Sequence, residues 1–179
     1  MRIIQHGITL VELLIAIGIV AILACIAMPA FSSAFEASRA SSARNALLGS
    51  YMTAVSSAAS AGSHAVLCPS SDGATCLGDP DWSSGWIVFL DADGNREHQA
   101  SEAILSQHGA LLGKVRLRST VGRTRIVIQG NGGNAGSNVT FTLCDGRGAA
   151  KAETLVLSNS GVLHAGVPTA TAIAATCLP

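Results

Sequence analysis

A run of 21 residues, Ile8 to Met28, is apolar at every position except Thr9, Glu12 and Gly18. At about 1.5 Å of rise per residue, a helix of that length spans about 31 Å, the thickness of a bilayer's hydrocarbon core. A buried core helix is the alternative, but such helices rarely run so long while apolar on every side. The seven residues before it hold Arg2 and no acid. By the positive-inside rule the amino end stays in the cytoplasm and everything after Pro29 is delivered across the membrane. The run therefore lays out the whole chain as a single-pass anchor in membrane lipid followed by an exported part.

Glu12 is the feature that a plain anchor does not explain. A carboxylate inside a membrane helix costs a few kcal/mol at mid-bilayer, so it is normally kept for a partner. Three processing signals compete. A secretory signal has a shorter apolar core before its small-x-small cleavage site; Ser32-Ser33-Ala34 supplies such a site, but the run is too long and Glu12 is unwelcome in it. Ile22-Leu23-Ala24-Cys25 loosely resembles a lipobox, with leucine poorly placed before the small residue. The third reading accounts for the glycine, the glutamate and the run together. Gly7 followed by Ile8-Thr9-Leu10-Val11-Glu12 resembles the class III signal of type IV prepilins and pseudopilins.

That resemblance implies cutting after Gly7 by the prepilin peptidase and N-methylation of the new first residue, Ile8. Glu12 becomes the fifth residue of the mature chain. The resemblance gives it the N-terminal amine of an adjacent subunit as partner, a contact that sets axial register. Pro29 stands where many family members carry a helix-kinking proline, and Ile8 replaces the usual phenylalanine.

After Pro29 the helical pattern resumes. Phe31, Phe35, Leu47, Leu48, Tyr51, Met52 and Val55 recur at three- and four-residue steps. This predicts an amphipathic helix to about residue 60, its apolar stripe packed on the domain, kinked at Pro29 and ended by Gly62. From Val66 onward the signals are β. "GWIVFLDADGN" is an apolar run closed by a turn, and "KVRLRST" alternates. "RIVIQGNGGNAGSNVTFTLCD" reads as strand, glycine-rich loop, strand, and "ETLVLSNSGVLHAG" as strand, turn, strand. The expected fold class is α+β: a long N-terminal transmembrane and amphipathic helix packed on a C-terminal antiparallel β-sandwich. The expected segments are a leader at 1–7, a membrane segment at 8–28, an amphipathic helix at 29–61 and a periplasmic β domain at 62–179.

Cys25 lies in the apolar run, while Cys68, Cys76, Cys144 and Cys177 lie in the exported part. An even number in an oxidising compartment points to two disulfides. Four cysteines allow three pairings. The simplest joins Cys68 to Cys76 across a polar turn and Cys144 to Cys177 at the tail, contributing about 2.5 and about 4 kcal/mol by the chain-entropy argument. Zinc is the weaker reading, since there is no C-x-x-C and no histidine at ligand spacing.

"CPSSDGATC…DWSSGWIVFLDADGN" and "FTLCDGRGAAKAETLVLSNSG" resemble the exported domain of the GspH/FimT group of minor pseudopilins. In that group the implied domain is a β-sandwich packed against the helix, at or near a filament tip. No catalytic spacing or phosphate-cradling loop is present, and no cofactor or metal is expected. Asp91, Asp93, Asn95 and Glu102 fall at the first, third, fifth and twelfth positions of an EF-hand-like loop. However, Gly94 comes two places early and Arg96 occupies the glycine position, which favours a tight turn over calcium. His64, His98, His108 and His164 are read as surface or turn residues, Trp82 and Trp86 as packing residues, and the loop from Asn131 to Ser137 as flexible.

Net charge is zero, but the charges are segregated. From Asp72 to Glu102 there are seven acids and one base, and from Ala103 to Leu143 five bases and no acid. Lys114, Arg116 and Arg118 share one face of a strand. If "STVG" turns the chain back, Arg123 and Arg125 join that face in a basic hairpin. Such a patch reads as a solvated face, as a docking surface for an acidic segment of another subunit, or as a DNA contact. FimT-like proteins that bind DNA carry Gly-Arg-x-Arg near the C-terminus. The corresponding stretch here, Gly161-Val162-Leu163-His164, lacks both arginines, whereas Gly122-Arg123-Thr124-Arg125 lies in an earlier strand.

The expected protein is a non-enzymatic minor pilin or pseudopilin that helps to prime or cap a type IV pilus or a type II secretion pseudopilus. Its expected partners are other major and minor pilins or pseudopilins, the prepilin peptidase and the inner-membrane assembly platform. It would sit in the inner membrane with its C-terminal domain in the periplasm, and then in the filament. The alternative is a DNA-binding subunit at a pilus tip that serves natural transformation.

Overall fold

The computed structural model describes residues 9–134 and 136–178, so the cleavage and methylation sites Gly7 and Ile8 lie outside the described residues. Helix α1 spans Leu10–Ala61 and continues through Pro29. The chain divides into two compact units, Met1–Phe35 and Glu36–Pro179. In the first, no described residue is buried: Leu14 is 61% and Ile22 65% exposed. This stretch is long and apolar enough to cross a membrane.

From Glu36 the same helix becomes one wall of a domain. Its buried face is Ala40, Ala43, Leu47, Ser50, Tyr51, Ala54 and Ala58. This corrects the expected stripe: Leu47 and Tyr51 belong to it, but Met52 points outward and Phe31 and Phe35 precede the domain. The spacing is helical, but the side chains are mostly methyl groups. Alanine keeps the helix favourable, and the bulk between helix and sheets comes from the facing aromatics. α1 stops where expected. Gly62 takes φ 62°, and the Ser63 N–H reaches back to the Ala58 carbonyl at 3.3 Å, a Schellman closure.

Strands β1 (His64–Pro69), β2 (Trp86–Asp91), β3 (Ile104–His108) and β5 (Ile126–Ile128) form one antiparallel sheet in the order β3-β2-β1-β5. Strands β4 (Arg116–Ser119), β6 (Val139–Cys144), β7 (Glu153–Leu157) and β8 (Leu163–Gly166) form the second, in the order β4-β6-β7-β8. A 3-10 turn at Ala149–Lys151 and a short helix α2 at Ala170–Cys177 complete the described chain. Between the sheets and α1 lies one core containing Trp82, Trp86, Tyr51, Leu117, Phe141 and Leu157. Trp82 meets Phe141 edge-on at 5.0 Å, and the Trp86 Nε1–H donates to Ser50 Oγ of α1 at 2.9 Å. That bond satisfies the buried indole.

One expected element is absent. β4 and β5 do not form a hairpin: β4 pairs with β6, whereas β5 pairs with β1 in the other sheet. "STVG" does turn the chain, since the Arg123 N–H bonds the Thr120 carbonyl at 2.9 Å with Gly122 at φ 80°. The turn carries the chain across the sandwich rather than back along it, because Ile126 and Ile128 bury in the core beside β1.

Candidate functional site

At the start of α1, the Glu12 carboxylate is held by its own helix. Glu12 Oε2 accepts from the Thr9 N–H and from Thr9 Oγ1, both at 2.9 Å, and Thr9 Oγ1 accepts from the Glu12 N–H at 3.3 Å. Thr9-x-x-Glu12 is thus a capping box, in which two amides that open the helix are satisfied reciprocally. The T-x-x-E spacing is the sequence signature of such a cap. Pro29 lies inside the helix, where its ring removes one intrahelical bond.

Two staples secure the second unit. Cys68–Cys76 and Cys144–Cys177 are disulfide-bonded, with Cα atoms 5.6 and 5.5 Å apart, and Cys25 is free and exposed. The first closes a loop built around Asp72. Its Oδ1 accepts the N–H groups of Ala74 and Thr75 at 2.8 Å each, and its Oδ2 accepts Thr75 Oγ1 at 2.7 Å. Those donors, Thr75 first, hold the Asp72 carboxyl far below the usual carboxylate range. The second staple ties α2 to β6. Among the described residues of α2 Thr176 is buried.

Asp91, Asp93 and Glu102 bring carboxylate oxygens within 4.8 Å of one another. Each is engaged by its own loop. Asp91 accepts the N–H groups of Gly94 and Arg96, Asp93 that of Asn95, and Glu102 those of Ala92 and Gln99. Arg96 takes φ 66° to make this closure. The arrangement is that of a self-bonded turn. His98 lies between this loop and the short disulfide loop, facing the Ala74 carbonyl at 2.7 Å and that of Glu102 at 3.2 Å. His108 stacks on Trp86 with ring centres 4.2 Å apart. Trp82 and Trp86 are fully buried. Asn134, in the glycine-rich loop, is buried and donates to the Ser158 carbonyl at 2.7 Å.

The five bases do not gather into a single stripe, because β4 and β5 lie in different sheets. Arg118 pairs with Asp81 at 3.6 Å and Arg125 with Glu97 at 3.7 Å. Arg123 donates to Asn138 Oδ1 at 3.0 Å. The acidic and basic segments thus neutralise each other partly within one subunit. Lys114 and Arg116 remain, exposed and without an ion pair among the described residues.

Both line a groove of about 1010 Å³ together with Asp79, Leu111, Asp145 and Gly146. Its floor is fastened to the first turn of α1 in this unit. Glu36 Oε2 accepts the Gly146 N–H at 3.0 Å, and Oε1 accepts Arg39 Nη1 at 2.8 Å. The bond from Gly146 is the main cause of a Glu36 carboxyl below its usual range. A Cβ at Gly146 would come within 2.9 Å of Glu36 Oε2. Beside it, Asp145 is fully covered; burial pushes its carboxyl up, but hydrogen bonds from Arg147 outweigh that and leave it below normal. This clasp was invisible to sequence reading, since Glu36 and Gly146 are 110 positions apart.

Comparisons with known proteins follow the same division of the chain. Residues 43–161 match the family described as type II transport protein GspH, and residues 3–28 match the prokaryotic N-terminal methylation motif. Among solved structures, the chain is similar to the type IV minor pilin FimU of Pseudomonas aeruginosa strain PAO1 in two crystal forms. The first has 18% identity and a TM-score of 0.56, covering 76% of this chain and 91% of that one. The second has 19% identity and a TM-score of 0.53, covering 73% and 91%. At that identity the likeness speaks for the fold. No curated protein matches the chain.

Proposed function

The chain belongs to the family of the type II transport protein GspH, and from that premise we propose that it is a non-enzymatic minor subunit that primes or caps a type IV pilus or a secretion pseudopilus. The observation that carries this reading is the uncovered apolar half of α1, with Glu12 near its start, inside a matched methylation motif. Hydrolysis after Gly7 frees the Ile8 amine, and its methylated form is the cation that a neighbour's carboxylate can meet. Glu12 then exchanges its capping donors at Thr9 for the amine of the adjacent subunit, which neutralises both charges and sets register. Pro29 relieves the helix where the anchor ends. The inner membrane holds the anchor before assembly, with the β domain in the periplasm. The prepilin peptidase, the assembly platform and other pilins or pseudopilins are the partners. The solved relative's description as a type IV minor pilin supports this reading.

The DNA-receptor alternative required a continuous basic hairpin. With Arg118 and Arg125 paired internally and the strands in separate sheets, no observation favours it.

The test is Glu12→Leu in cells that carry the filament machinery. The variant enters the membrane fraction normally and co-purifies with sheared filaments several-fold less than the parent. Equal co-purification would remove the register role.

A further inference from the structure

The edge strands of the sandwich are not treated alike. The outer side of β4 is closed by its own chain: the Trp82 N–H donates to the Leu117 carbonyl at 2.8 Å, and the Ser119 N–H to the Pro80 carbonyl at 2.9 Å. β5 is buried at all three of its residues. β8, the last strand of the second sheet, has no such cover. The Ser158 N–H donates to the Val162 carbonyl at 2.9 Å across the turn, and Val156 stands opposite His164 and Thr154 opposite Gly166. Bonded pairs in an antiparallel ladder alternate, so His164 and Gly166 bond to β7, whereas Leu163 and Ala165 aim their N–H and C=O groups off the sheet. Among the described residues no hydrogen bond reaches those groups. Ala165 is exposed, and Val167 is 90% exposed. From Val162 to Val167 there is no acid, lysine, arginine or proline, the residues that blunt an edge.

An open edge is recognised by another extended backbone, and chain direction decides whose. Arg44 meets Glu153 at the start of β7, and Tyr51 Oη donates to the Gly161 carbonyl, past its end, at 2.9 Å. β7 therefore runs with α1, and β8 runs against it. Trp86 bonds Ser50 and Asp91 bonds Ser63, so β2 also runs with α1 and β3 against it. Copies anchored in one membrane enter their domains from the same side. The β3 and β8 edges of a second copy then point the same way as β8 here and offer only parallel pairing, the less stable kind. β4 and β5 point the opposite way but are covered. We infer that the outer edge of β8 receives, antiparallel, an extended strand from a different pilin-like subunit. The edge has no charge to match, so the incoming strand is uncharged. This rests on the minor-subunit reading above and deepens it, because it names a contact that copies of this chain do not satisfy among themselves.

The test uses the full-length chain in cells that carry the filament machinery. Ala165→Pro removes an outward N–H and leaves the ladder to β7 whole, since that amide takes no part in it. The variant should co-purify with sheared filaments several-fold less than the parent, with an unchanged melting midpoint in micelles. His164→Lys, at an exposed position of the same strand, sets a charge beside the edge and should give the same loss without altering the backbone. If Ala165→Pro melts lower, His164→Lys decides. A photoreactive phenylalanine analogue at Val167 should form one adduct in filaments, mapped by mass spectrometry to an uncharged strand of another subunit that carries its own methylation motif. Adducts only with copies of this chain, no adduct, or incorporation of His164→Lys equal to the parent would overturn the inference. Parent in filaments with an indifferent His164→Lys sinks the edge contact alone. Parent absent from filaments, with the Val167 adduct still formed in the membrane, sinks the minor-subunit reading and upholds the edge.

Discussion

One helix lives in two environments. Before Glu36, the large side chains of α1 are exposed among the described residues; after it, the buried face is mostly alanine and is fully enclosed. Leu14 is 61% exposed and Leu47 is 1% exposed. The difference shows that side-chain size along α1 tracks who supplies the other side of the contact. A face finished by its own domain can be small, because the opposing tryptophans and phenylalanine fill the space. The exposed face before Glu36 carries larger apolar side chains, such as Leu14 and Ile22.

That contrast is breakable, and truncation is the sharpest way. Leu47→Ala should destabilise the domain by about 2–5 kcal/mol, whereas Leu14→Ala should leave its unfolding midpoint unchanged. Denaturant melts of the full chain in micelles, followed by tryptophan fluorescence, read both; equal effects would end the distinction. Enlargement comes next. Ala54→Leu forces a larger group against a fully buried site and should cost about 1–3 kcal/mol, while Ala21→Leu should not move the same melt. Ser50→Ala removes the acceptor for the buried Trp86 N–H and should cost about 1–2 kcal/mol, with no counterpart for Ser32→Ala.

The smallest effect is acid sensitivity, and it belongs to the domain half. Glu36, Asp72 and Asp145 all have folded carboxyls below their ordinary values of 4.5, 3.8 and 3.8. A depressed folded pKa means that the unfolded state binds more protons in that range. The stabilisation is therefore complete above about pH 4.5 and is lost as pH falls through the depressed values. Glu36→Gln should flatten the upper part of that decline, which repeated melts between pH 3 and 6 would detect.

Local grammar was legible in the sequence, and partner choice was not. The anchor, the glutamate in register and the helix stop at Gly62 depend on residues close in the chain, and each could be read directly. So could the strand segments at "GWIVFLD", "VTFTLC" and "ETLVL". The alanine face was missed because methyl groups register weakly in a hydrophobic pattern, while Met52 registered strongly and misled; Val55 does pack against the core. The hairpin at "STVG" failed for a different reason. The turn was real, but whether the next strand pairs backward or crosses the sandwich depends on where Ile126 and Ile128 bury, which is a property of the folded core. β3 and α2 were missed as well. α2 is eight residues of small side chains, defined by the Thr169 cap and the bond from Cys177 to β6 more than by any periodicity. The Glu36 clasp needed the fold before it could be seen.

The capping box at Thr9 and Glu12 has a consequence for the life of the unassembled subunit. A glutamate waiting in lipid for a neighbour would ordinarily drive its helix toward aggregation or drag it toward the surface. Here the waiting state has its own occupation, since the carboxylate closes the end of the helix that carries it. Under the proposed register role, joining a filament replaces one set of donors with another, and leaving it restores the first. Under that role, the cap lowers the cost of the carboxylate while it has no neighbour, and the charge itself is met only when the amine arrives.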